Sequence, residues 1–343
     1  MKLNRNIKIF VNYFFGPLLF AWLSWSIYRE VSQQPDLEKA WHRISESIYS
    51  SKIVNLIAVI LLMVVNWGIE AFKWKLAVKQ VQTISFFKAF RATLSGVSFS
   101  VSTPNFIGEY LGRILYMEEG NRLRTISITI VSSISQLIMT LLMGLVGLLV
   151  LHKKIEATGI ISPIWMQVLI WSVIVVLAVV LMFYFRLPWL TRWIDRLPAS
   201  KKFAYLLEAV ERFDSGLLVR LLIFSATRYL VFIIQYYLLL QLFDVPITWP
   251  QALWSVSVAF LVMAVLPTPA LAELGLRGKV GIKLIGLFSA NHLGIFMTSM
   301  TIWFVNLVIP AIVGSLFILG IRKIFSSKKE TEVIQSSIVN RQS

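Results

Sequence analysis

The chain has 343 residues, of which 57% are hydrophobic and 15% charged, with a formal net charge of +16. Soluble globular domains carry about 25% charged residues, so too few polar side chains remain here to cover a water-soluble surface, and much of the molecule must face lipid. The basic residues sit between apolar runs, which excludes nucleic acid as the reason for the charge and assigns it to membrane topology and anionic headgroups.

A membrane-crossing helix needs roughly 20 mostly apolar residues. The first such run, residues 7–27, follows Lys2, Arg5 and Lys8 and is too long for the apolar core of a signal peptide, so it reads as a retained span. Residues 31–50 mix charges with Trp41, Ile44 and Ile48 near helical spacing, which predicts an amphipathic helix lying in the interface. A second span is predicted over 53–72. Residues 86–117 are too long for one span and break at Thr103-Pro104-Asn105. Proline removes a backbone donor and clashes with the preceding turn, and carbonyls freed at membrane depth need protein or water as partners. Spans over 126–151 and 163–185 follow, then a second interfacial stretch, 187–212, carrying Trp189, Trp193 and Leu197. After a span over 217–241, residues 250–288 form another overlong apolar region, broken at Leu266-Pro267-Thr268-Pro269. The last span is predicted over 293–320, and the polar tail 326–343 is expected to be disordered and cytoplasmic.

Loop charge decides whether the two broken regions cross. Basic clusters occur around residues 2–8, 73–91, 122–124, 186–220 and 322–341. All five lie inside only if 86–117 enters and leaves on the cytoplasmic side and 250–288 enters and leaves on the outer side. The expected fold is therefore an all-α polytopic membrane protein with six full spans plus two re-entrant broken-helix hairpins. It forms one transmembrane domain over 1–325 in the cell inner membrane, with both termini cytoplasmic.

The broken regions resemble each other. Ala89 precedes Pro104, and Ala252 precedes Pro267, by the same fifteen residues. After each break comes Glu-x-x-x-Arg, as Glu109 to Arg113 and Glu273 to Arg277. Each unit reads span, broken hairpin, span, over 53–151 and 217–320, with opposite starting sides, so an inverted-topology repeat is expected. Paired, Pro/Gly-interrupted segments in inverted repeats point to a transport site near the membrane midplane. The breaks here carry Pro104, Gly108, Pro267 and Pro269.

Ionisable residues at membrane depth are expensive, at about 2.5–3.5 kcal/mol each on insertion scales. Glu109 with Arg113, and Glu273 with Arg277, fall on one helical face at i,i+4. Such a pair can simply neutralise itself and pin its hairpin; it can also present Arg to phosphate, whose oxygens match the guanidinium fork. Helices beginning after Pro104 and Pro269 would aim N–H groups inward, with Asn105 and Thr268 able to hydrogen-bond there. Arg228 lies inside an apolar span with no acid of its own and needs a partner, for which Glu109 and Glu273 are the candidates. Glu70, with Asn66 and Lys73 on its face, reads as an interfacial Glu–Lys pair. Ser132, Ser133, Ser135, Gln136 and Thr140 make 126–151 unusually polar, a pattern that usually glues helices together. His42, His152 and His292 have no metal-ligand spacing, and cysteine is absent, which excludes disulfides, thiol catalysis and Cys-ligated metals. No metal or cofactor is expected, and no enzyme activity.

At Pro104-Asn105-Phe106-Ile107-Gly108-Glu109-Tyr110-Leu111-Gly112-Arg113 the chain resembles the family of lysylphosphatidylglycerol synthase transmembrane regions, also called flippase-like membrane proteins. The second element, Pro267 to Gly278, keeps Pro and Gly-Leu-Arg; it lacks the family's Gly-Gly and has Gly278 where Glu would follow. The resemblance covers roughly residues 5–325. It implies movement of an anionic or aminoacylated phospholipid between leaflets, by the membrane half alone, without the aminoacyl-transferase domain that some members carry. The expected function is thus a lipid translocase, flippase- or scramblase-like, acting on a phosphate-bearing or aminoacylated lipid. Glu109, Arg113, Glu273, Arg277, Arg228 and Asn105 are its candidate substrate-binding residues. The partners expected are a phospholipid or lipid-linked substrate and the membrane, with a homo-oligomer left open. The alternative is a non-transporting accessory or scaffold protein of an envelope lipid or glycan pathway.

Overall fold

The computed structural model describes residues 37–101, 108–186, 213–266 and 270–319, together with Trp25, Tyr28, Arg29 and Ser32. Every regular element among the described residues is a helix. In chain order these are α1 (Leu37–Tyr49), α2 (Ile53–Val78), α3 (Phe86–Val101), α4 (Gly108–Ile114), α5 (Arg122–Ala157), α6 (Pro163–Phe185), α7 (Ser215–Leu242), α8 (Trp249–Val265), α9 (Ala270–Ile285) and α10 (His292–Trp303). The last continues through a π-turn, Phe304–Val308, to Leu319. That turn lies just before Pro310, whose missing N–H and ring break the normal i→i−4 ladder.

Local chemistry sets several starts. Asp214 caps α7 by accepting from the Leu217 N–H at 3.0 Å. The Gln251 side chain accepts from the Thr248 N–H at 3.0 Å at the head of α8. Pro163 opens α6, where a missing donor costs nothing. Asn291 accepts from the Gly294 N–H at 2.9 Å to begin α10.

Five helices are long and apolar enough to cross a membrane: Ile53–Val78, Glu119–Ala157, Pro163–Phe185, Ser215–Leu242 and His292–Leu319. They fall on five of the six expected spans. The other, 7–27, lies almost wholly outside the described residues, and the stretch 187–212 and the tail 326–343 lie entirely outside them. At 36 residues, α5 is about 54 Å long against a hydrocarbon core of about 30 Å. It therefore runs well past the span expected over 126–151.

The two halves close in the same way. In the first, α2 packs on α3, α3 on α4, α4 on α5, and α5 back on α2; in the second, α7 packs on α8, α8 on α9, α9 on α10, and α10 back on α7. The halves join chiefly along α2 with α7 and α5 with α8. Asn55 donates to the Leu238 carbonyl, Gln235 to the Val59 carbonyl and Arg228 to Asn66, so α2 and α7 run antiparallel. Along α5 and α8, Gly144 faces Leu261 and Gly147 faces Val258 so closely that a Cβ on either glycine would collide. Small residues let the helix backbones approach where lipid gives no hydrophobic drive for association.

Besides a smaller cluster around Trp74, Ala89 and Met117, two larger apolar clusters fill the interior. One joins α5, α6, α7 and α8 around Ile128, Met166, Leu218, Leu221 and Val258; the other joins α7, α8, α9 and α10 around Ile233, Leu239, Val256, Ile285 and Ile295. The helix α6 is peripheral, with Met166 and Tyr184 buried and Trp165, Trp171 and Val175 exposed, as on a face covered by lipid.

Candidate functional site

On α2, Asn66, Glu70, Lys73 and Trp74 recur at helical spacing and are all buried. In a helix that is otherwise apolar, this stripe needs polar partners from other elements, because each uncompensated group would cost several kcal/mol in a dry interior. Two arginines supply them. Arg113 Nη2 on α4 donates to Glu70 Oε1 at 2.9 Å, and Arg228 Nη1 on α7 donates to Glu70 Oε2. Lys73 Nζ is 2.9 Å from Glu70 Oε2. Arg228 Nε also donates to Asn66 Oδ1 at 2.8 Å, and Arg113 Nη2 also reaches Glu109 Oε1. One carboxylate, Glu70, therefore holds three cations from three helices.

A second layer supports this cluster. Lys73 Nζ donates to the Ser132 carbonyl at 3.2 Å and to Ser225 Oγ at 3.3 Å, and the Ser225 and Ser135 hydroxyls are 2.8 Å apart. Trp74 Nε1 donates to Thr129 Oγ1 at 3.2 Å. The guanidinium carbon of Arg113 lies 5.6 Å from the Trp74 ring centroid, and that of Arg228 lies 5.5 Å from the Trp67 centroid. Arginine suits both jobs, since it stacks flat on an aromatic face while its edge donates hydrogen bonds.

Glycine places Arg113. A Cβ on Gly112 would sit 2.3 Å from the Gly96 backbone nitrogen, so α3 and α4 touch backbone to backbone there. Only that close approach lets a seven-residue helix push the next side chain into the interior. Arg113 is fully buried, whereas the Glu109 side chain keeps 29% of its exposure. Counting Lys73, Arg113 and Arg228 against Glu70 and Glu109, the cluster carries one positive charge in excess. Arg113 Nε and Nη1, Asn66 Nδ2, Ser132 Oγ and Gln136 Oε1 are buried without a partner. Positive charge and unused donors thus lie beside a carboxylate that reaches the edge.

The sequence matches the family described as lysylphosphatidylglycerol synthase TM region over residues 13–314. The chain belongs to that family. It is an integral membrane protein, and the family is one of lipid metabolism or transport by its name. Among curated proteins, no match was found.

The second Glu-x-x-x-Arg element of this family member sits in different surroundings. Arg277 Nε and Nη2 both donate to Glu273 Oε1, at 3.0 and 2.6 Å. Glu273 Oε2 is buried without a partner, and Arg277 keeps 24% of its side-chain exposure. The space beside Arg277, walled by Tyr236, Phe260, Gly281 and Ser299, is only about 10 Å³. That is roughly the limit for one water molecule, so no headgroup fits there in this conformation.

Several expectations change. The partner of Arg228 is Glu70, and neither Glu109 nor Glu273 bonds it. Glu70 and Lys73 do pair, at 2.9 Å, but they are 4% and 1% exposed, and Glu70 also holds Arg113 and Arg228 as the hub of a buried cluster. Lys73 accordingly leaves the basic loop group to which its place in the sequence assigned it. Gly108 is buried at the start of α4. Asn105, Pro104, Pro267 and Pro269 lie outside the described residues, so helix-end anion binding at the breaks has no geometry here. Among the described residues, Asn306 donates to the Ile302 carbonyl of its own helix, and no group of three His, Asp or Glu gathers as a metal would need.

Proposed function

We propose that this chain is a lipid translocase of the cytoplasmic membrane, and that the Glu70 cluster is where it holds a phosphate-bearing or aminoacylated headgroup. The observation that carries the reading is the excess cation in the buried cluster, with Arg113 Nε and Nη1 unpartnered beside the half-buried Glu109. Such charge is too costly to keep in lipid unless it has a task or a partner, and a phosphate or carboxylate would supply the missing negative charge. Glu109 would accept an ammonium or hydroxyl group at the rim. The acyl chains stay in the bilayer throughout. The chain needs no cofactor and performs no covalent chemistry in this scheme.

The topology that serves this function has six spans, with α3–α4 and α8–α9 as re-entrant hairpins entering from opposite sides. Support comes from the matched neighbours of the two halves and from the antiparallel run of α2 against α7, as an inverted repeat requires. Both termini are then cytoplasmic. A cysteine replacing Gly120, which has open space around it, should be labelled only from the cytoplasm, and one replacing Ala157 only from outside.

The test of function is exchange of labelled phospholipids in reconstituted vesicles. The parent protein should raise exchange above protein-free vesicles. Glu109→Gln with Arg113→Met should remain folded and lower the rate by about tenfold or more, the scale of one or two lost charge-assisted hydrogen bonds. If the parent does no better than empty vesicles with anionic, zwitterionic and aminoacylated headgroups alike, transport is wrong and the accessory or scaffold role takes its place.

A further inference from the structure

At the end of α2, on the face turned away from Glu70, a cleft of about 370 Å³ is lined by Phe72, Lys75, Leu76, Lys79, Thr83 and Ile84. Its composition is graded. Lys75 and Lys79 are i,i+4 neighbours at the last turn of the helix, with Thr83 in the following loop, so ammonium and hydroxyl groups gather at the mouth. Phe72 lies seven residues before Lys79, about 10 Å further along the helix axis. It is 44% exposed and rests against Phe224 of α7, with ring centroids 5.3 Å apart. Lys75 Nζ leans over the Phe72 ring at 6.0 Å. Among the described residues neither Lys75 nor Lys79 has a carboxylate partner. Cations are favoured at a helix C-terminus, which accounts for their presence there. It does not account for a cleft that continues from them along exposed aromatic and aliphatic walls.

We propose that this cleft binds an anionic phospholipid, with its phosphodiester between Lys75 and Lys79, the Thr83 hydroxyl donating to the same group, and an acyl chain along Phe72 and Leu76. The ligand is a lipid because the apolar walls lead toward the bilayer; a soluble phosphate would use the mouth alone. The site is separate from the Glu70 cluster, which occupies the opposite face of α2, and it stands whether or not that cluster moves lipid.

Native mass spectrometry of the purified protein, equilibrated with equal amounts of phosphatidylglycerol and phosphatidylcholine, tests this. The parent should retain phosphatidylglycerol in preference. Lys75→Gln with Lys79→Gln should weaken that retention by about 5-fold for each lysine, equivalent to about 1 kcal/mol apiece. Lys153→Gln with Lys154→Gln, at the far end of α5, should leave it unchanged. No preference in the parent, or equal loss in both variants, overturns the site. Displacement of the lipid by millimolar inorganic phosphate as readily as by phosphatidylglycerol overturns the lipid assignment in favour of a soluble anion. If the double variant does not fold, the naturally cysteine-free chain allows a probe at Thr83→Cys with both lysines intact. Headgroup-spin-labelled phosphatidylglycerol should quench it more than the matching phosphatidylcholine at equal mole fraction, and equal quenching sinks the proposal.

Discussion

The two Glu-x-x-x-Arg elements look alike along the chain and differ in what surrounds them. Glu273 and Arg277 form a one-to-one pair whose local charge sums to zero, closed off by Tyr236, Phe260 and Ser299. Arg113 is instead shared between Glu109 and Glu70, and Glu70 also binds Lys73 and Arg228. An i,i+4 pair on a helix thus settles only the local term. Whether it is a neutral pin or part of a charged centre depends on which third helix packs against it. In the first half α2 brings Glu70; in the second half α7 brings the phenol of Tyr236 to the same space.

The largest separation between the two elements should come from removing one carboxylate. Glu70→Gln strands three buried cations with only Glu109 near them, and should cost about 3–5 kcal/mol. Glu273→Gln leaves one arginine that still reaches its surroundings, and should cost about 1–3 kcal/mol. Thermal unfolding in a single detergent measures both; equal losses would mean that the hub at Glu70 carries no special weight. The paired replacements come next. Glu273→Gln with Arg277→Met should lie within about 1 kcal/mol of the parent, or be stabilising, as for other self-neutral buried pairs. Glu109→Gln with Arg113→Met removes a bond to Glu70 as well, and should cost about 1.5–3 kcal/mol. A neutral result for both would reduce the first element to a pin like the second. The smallest contrast concerns placement. Gly112→Ala forces α4 off Gly96 and should cost about 1–3 kcal/mol by overpacking, with Arg113 displaced from Glu70. Gly120→Ala, in open space, should change stability by no more than about 0.5 kcal/mol. Similar losses at the two glycines would show that the α3–α4 contact does not set the position of Arg113.

Much of the candidate centre had a trace in the sequence. Asn66, Glu70, Lys73 and Trp74 form one polar stripe in an apolar helix, and its spacing marks a buried face with partners elsewhere. Glu70 and Lys73 pair as their spacing predicts, but their neighbours within α2 do not reveal that Arg113 and Arg228 join them. Arg228 needs an acid by its place in an apolar span, but nothing along the chain singles out Glu70 over Glu109 or Glu273 as that acid. Ser135 does glue helices, through the Ser225 hydroxyl, whereas Ser132 meets Lys73 only through its backbone carbonyl and its own hydroxyl has no partner.

By itself the sequence determined the material of the fold: long apolar runs that must be helical in lipid, breaks where Pro interrupts them, and charged pairs one helical turn apart. Those are local properties, because hydrocarbon thickness fixes span length and the helical repeat fixes which residues share a face. Only the tertiary structure decided that Glu70 meets Arg113 and Arg228, which stand 43 and 158 residues away. That choice depends on the rotation and register with which α4 and α7 pack on α2, set by contacts such as Gly112 on Gly96 and Gln235 on the Val59 carbonyl. Helix rotation is a property of the assembled bundle, and the charged centre exists only once the bundle has formed.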